Sequence, residues 1–68
     1  MIPAGFEDIA FGVAEMRKMG YRAVVSTDRI EIWRPNGSRW LTMERVGQPP
    51  GNFEKLTQVV QAVFGVPS

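Results

Sequence analysis

Apolar residues follow a helical period near both ends of this chain and a two-residue period in the middle. Over residues 5–19, Phe6, Ile9, Ala10, Val13 and Met16 share one side of a helical wheel, with Asp8 and Glu15 opposite. Glu7 and Asp8 in the first turn and Arg17 and Lys18 in the last suit the helix dipole. Gly20 is placed to end the helix in the left-handed region, with Tyr21 next able to reach back to Met16. Gly12 interrupts the pattern at a cost of about 1 kcal/mol against alanine, and a small residue there suits close packing. Phe11 falls near Glu7 and Glu15, off the apolar side. It either packs on the second helix or on Ile2, or serves as a contact point on an exposed helix.

The middle of the chain alternates. Residues 22–26 read as a strand, Thr27 and Asp28 as a tight turn, residues 29–34 as a second strand and residues 39–45 as a third. Asn36-Gly37 is a strong signal for a type I′ hairpin, which needs positive φ at both central residues. Counting outward from that dipeptide sets Pro35 opposite Ser38, Arg34 opposite Arg39, Trp33 opposite Trp40, Ile32 opposite Leu41, Glu31 opposite Thr42 and Ile30 opposite Met43. Counting from Thr27-Asp28 sets Arg22 opposite Trp33, Ala23 opposite Ile32, Val24 opposite Glu31 and Val25 opposite Ile30. Both counts put Ala23, Val25, Ile30, Ile32, Leu41 and Met43 on one side of the sheet. Agreement between two independent local signals supports a real sheet.

Gly47, Pro49, Pro50 and Gly51 cannot continue the ladder and predict a loop. Asn52 is then a natural N-cap for a helix over residues 52–64. Its apolar arc is Phe53, Leu56, Val59, Val60, Val63 and Phe64, and Gly65 and Pro67 end it. The expected fold is therefore α+β, a two-layer α-β-β-β-α domain over residues 1–68. Its three-stranded antiparallel meander carries both helices on one face.

Two cross-strand rows remain for the other face: Arg22, Trp33, Trp40 and Val24, Glu31, Thr42. In one reading the opposed indoles only hold the sheet together. In the other, Arg22, Trp33 and Trp40, with Glu31 between them, form a recognition surface, since tryptophan and arginine are the types most enriched at binding hot spots. Arg34 and Arg39 would add a basic hairpin tip, or simply a solvated loop whose charges discourage edge pairing.

Composition narrows the chemistry. Sixty-eight residues allow one domain with a thin core. Cysteine and histidine are both absent, which removes the usual zinc ligands, the commonest general base and the cysteine nucleophile. The acids are scattered and no glycine-rich loop joins a strand to a helix, so the expectation is a non-enzyme without cofactor or metal. So small a chain also leaves little room for a pocket of about 300 Å³ or more. Net charge is +1, but residues 17–45 hold seven of the eight basic side chains. No leader is visible and no apolar run approaches the roughly 20 residues of a membrane span, so a cytoplasmic protein starting at Met1 is expected.

The helix–three strands–helix order, with Gly20-Tyr21 after the first helix and Pro35-Asn36-Gly37-Ser38-Arg39 at the turn, resembles the double-stranded-RNA-binding domain and the HicA-type messenger-RNA interferases. The resemblance implies the same α-β-β-β-α topology over nearly the whole chain. It does not carry function. HicA-type toxins use a sheet histidine, and none is present here. The RNA-binding domain has a lysine cluster at the start of its last helix, where this chain has Asn52-Phe53-Glu54-Lys55. In size and composition the chain also looks like the small inhibitors of phages and mobile elements, anti-CRISPR proteins among them. The leading expectation is a binding protein that docks on a larger protein through the open sheet face. A nucleic-acid-binding domain that stacks bases on the two tryptophans is the second, and a homodimer through the open faces the third.

Overall fold

A Schellman turn closes the first helix and aims the chain into the sheet. The structure is a computed structural model that describes residues 2–65, so Met1 and Pro67 lie outside the described residues. In it α1 spans Glu7–Lys18. Gly20 adopts φ 94°, its N–H donates to the Arg17 carbonyl, and the Tyr21 N–H donates to the Met16 carbonyl. These bonds satisfy carbonyls that the helix end leaves open.

The sheet follows as β1 (Arg22–Val25), β2 (Arg29–Trp33) and β3 (Arg39–Glu44), antiparallel in the order β1-β2-β3. α2 spans Asn52–Phe64 and ends at Gly65, φ 68°. The molecule is thus the small α+β domain that the alternation predicts. One expected cap is corrected. Gly51, at φ 81°, is the N-cap of α2. Asn52 is already helical, and its side-chain amide donates to Gln48 Oε1 instead.

Ile30, Ile32, Phe53 and Val60 form the centre of the core, with Tyr21, Ala23, Val25, Leu56 and Phe64 packed around them. Val59 is completely buried. α2 lies against β1, and α1 leans on α2 rather than spreading over β3. Arg17 of α1 reinforces that contact by donating to the Val63 carbonyl at 2.9 Å. On the far side Arg45 joins three elements. Its guanidinium pairs with Glu54 at 2.6 Å, donates to the Thr27 carbonyl at 2.8 Å and lies 4.9 Å from the centre of the Phe53 ring.

Thr57 Oγ1, on α2, is buried and finds no hydrogen-bond partner among the described residues. A buried hydroxyl without a partner costs desolvation that an isosteric methyl does not. Thr57→Val is therefore expected to stabilise the domain by about 1 kcal/mol, which raises the thermal midpoint by roughly 4–8 °C in a chain of this size. Calorimetry checks this. An unchanged or lower midpoint would show that the hydroxyl is satisfied.

No helix among the described residues is long and apolar enough to cross a membrane.

Candidate functional site: the two sides of the sheet

The hairpin that joins β2 to β3 decides what each side of the sheet presents. Among the described residues only glycines have positive φ, so Asn36 cannot sit in a type I′ turn. Instead the Gly37 N–H donates to the Arg34 carbonyl, and Pro35 and Asn36 form the centre of a type I turn. Proline, with φ fixed near −65°, favours the first central position of that turn. Gly37 follows at φ 91°, and the Arg34 N–H then bonds the Ser38 carbonyl at 2.8 Å. The loop is thus three residues long, not two, and Arg34 pairs with Ser38 rather than Arg39.

That extra residue shifts the register, and a bulge corrects it. Trp33 pairs with Arg39, while Ile32 pairs with Leu41, Glu31 with Thr42 and Ile30 with Met43. Trp40 is the residue left over. The aliphatic side chains below it keep the expected side of the sheet, and the β1–β2 register is as counted from Thr27-Asp28. The expected Trp33–Trp40 pair is therefore absent. A bulge re-aims a side chain, and here it turns the Trp40 indole to the helix side. Its ring meets Tyr21 edge-on, 6.2 Å between centroids at 85°, and it lines a groove with Ile9, Val13, Met16 and Leu41.

The open side holds a smaller set than the sequence predicts. Arg22 lies opposite Trp33, as expected. The third position of that row is Arg39, whose guanidinium sits 5.8 Å from the centre of the Trp33 ring and 3.4 Å from Glu31. Arg29 approaches the same Glu31 oxygen at 3.7 Å. The cation–π partner of the indole is thus Arg39. Such exposed contacts each contribute about 0.5–1 kcal/mol and hold the ring in place. Val24 is 46% exposed beside it. A shallow depression of about 400 Å³ is lined by Arg22, Val24, Trp33, Arg34, Pro35 and Gly37.

The hairpin tip is braced. Asn36 Oδ1 accepts from the Ser38 N–H at 2.9 Å and from its hydroxyl at 2.7 Å. Arg34 Nη1 donates to Ser38 Oγ at 3.1 Å and to the Arg39 carbonyl at 3.2 Å. Arg34 therefore holds the turn as well as bordering the depression. The Arg22 side chain makes no hydrogen bond or ion pair among the described residues. Phe11 stands apart on α1, 72% exposed, so the expectation that it packs on α2 or Ile2 fails.

Sequence reasoning missed the groove on the helix side. Because α1 leans on α2, the inner side of β3 is only partly covered. Ile9, Gly12, Val13, Met16, Trp40 and Leu41 border a space of about 370 Å³. So short a chain is expected to leave little room for such a volume, and an open groove of that size is present. Helical periodicity tells which side of α1 is apolar but not which strand it covers, and the expectation of close packing at Gly12 fails, since a Cβ built there meets nothing within 4 Å.

No group of three or more Asp, Glu, His or Cys side chains among the described residues could hold a metal ion. No family model matches the chain, and no curated protein or solved structure matches it either.

Proposed function

We propose that this protein is a non-enzymatic binding protein that docks on a larger protein through the open side of its sheet, with Trp33 at the centre and Arg22 and Arg39 beside it. The observation that carries this reading is that neither helix covers that side. Trp33, Val24 and Arg22 are left around a depression whose rim is a braced hairpin. A rigid aromatic anchor flanked by arginines is the usual composition of a binding hot spot. Bracing lowers the ordering cost on association.

Charge specifies the partner. Arg22 and Arg34 line the depression, Arg39 lies against the Trp33 ring, and Glu31 is shared between Arg29 and Arg39. The complementary surface is an apolar side chain ringed by carboxylates on another protein. Net charge of +1 fits a protein partner better than a phosphate backbone. The nucleic-acid reading relied on two indoles side by side, and these now lie on opposite sides of the sheet. A dimer through the open faces would likewise bury one tryptophan from each copy, not two.

The test starts with capture of a partner from a lysate and continues with calorimetric titration of the purified pair. Trp33→Ala should weaken binding by roughly 30-fold, about 2 kcal/mol, with an unchanged circular dichroism spectrum and only shallow salt dependence. A folded Trp33→Ala variant that binds as tightly as the parent would remove the open side from consideration.

A further inference from the structure

The groove between α1 and β3 and the free edge of β3 are not used by the open-side reading. The geometry points to a second copy of this chain as their occupant, joined through antiparallel pairing of the two β3 strands into a continuous six-stranded sheet. This inference rests on its own observations.

The first is the direction of the backbone groups. The Arg45 N–H donates to the Asp28 carbonyl at 2.8 Å. By the alternation of an antiparallel ladder, Met43 and Leu41 also turn their backbone groups to β2, and Thr42 and Glu44 turn theirs off the edge. Those outward groups have no strand beside them, and an exposed strand edge is a template for another strand.

The second is the pattern of β3 read against itself. With Thr42 opposite Thr42 of the second copy, Leu41 of each copy faces Met43 of the other on the groove side. Apolar meets apolar there, and helices stay with helices. Charge favours the same antiparallel arrangement. Arg39 begins the strand and Glu44 ends it, and Glu44 forms no ion pair among the described residues. Antiparallel doubling brings each Glu44 to the Arg39 end of its partner strand. Arg45 does not interfere, because Glu54 and the Thr27 carbonyl hold it on the other side.

The third is Gly12. It lies in the middle of α1, on the groove, without positive φ, and a Cβ built there would meet nothing within 4 Å. Nothing among the described residues requires a glycine at that position. With no side chain at Gly12, the groove stays open for apolar side chains of a second copy joined at β3.

Sedimentation from low micromolar to near-millimolar concentration should show a reversible species at twice the 7.6 kDa chain mass. Gly12→Ala, which the free helix tolerates, should weaken association at least tenfold, and Leu41→Glu should abolish it. The chain contains no cysteine, so Thr42→Cys places one thiol opposite its counterpart, within disulfide reach across a strand pair. Mild oxidation should give a crosslinked dimer for Thr42→Cys and none for Val24→Cys on β1. A monomer at every concentration overturns the inference. So does a dimer that survives Leu41→Glu, or one that Trp33→Ala dissolves, because the contact would then lie elsewhere.

Discussion

Phe53→Ala is expected to be severely destabilising, by about 3–5 kcal/mol. Phe53 is 2% exposed and touches the core formed by Ile30, Ile32 and Val60. Truncating a buried phenylalanine costs about 3–5 kcal/mol through lost transfer energy and the cavity left behind. A chain of this length has roughly 3–10 kcal/mol of total stability, so the loss takes from about 30% to all of it. Two features put the cost toward the upper end. Phe53 opens α2, so its loss loosens the helix where it meets the sheet. The ring is also the surface on which Arg45 lies while it bonds Glu54 and Thr27. Urea unfolding followed by tryptophan fluorescence checks this. A loss below 1 kcal/mol would place the core elsewhere.

Gly20→Val is expected to destabilise by about 2–3 kcal/mol, the range for a β-branched residue forced into a sparsely populated backbone region. Gly20 has φ 94°, and a Cβ there would meet the Pro35 ring at 3.4 Å. That distance is an ordinary contact, so the cost comes from the backbone conformation at position 20 rather than from Pro35. Gly12→Ala, eight residues earlier, should have the opposite sign. Its φ is ordinary and its surroundings are open, so the gain in helix propensity of roughly 1 kcal/mol remains. Measured on dilute, monomeric protein, the two substitutions should move the unfolding midpoint in opposite directions. Equal effects would mean that backbone conformation at position 20 is not the cause.

Much of this fold is written locally. The Thr27-Asp28 turn, the alternation of Val25, Ile30 and Ile32, and the glycine after α1 each act over a few residues. Each appears in the structure where the sequence places it. The hairpin tip shows how two local signals compete. Asn36-Gly37 favours a two-residue loop, but Pro35 before it is already suited to the first central position of a type I turn. The proline prevails, Asn36 keeps negative φ, and the loop gains a residue. Burial then acts over a longer range. Leu41 and Met43 must remain opposite Ile32 and Ile30, so β3 discards one residue as a bulge, and that residue is Trp40. No count along the chain could assign Trp40, because its side is set by the difference between a turn preference and a burial requirement. The groove was illegible for a related reason. It depends on how far α1 leans toward α2, and the hydrophobic period of a single helix does not record this.

The account depends on the two indoles occupying opposite sides of one small sheet. A nuclear Overhauser spectrum of the native protein tests this directly. Trp40 ring protons should show cross-peaks to the Tyr21 ring, and Trp33 ring protons to Arg39. Cross-peaks between the two indole rings, with none from Trp40 to Tyr21, would contradict it.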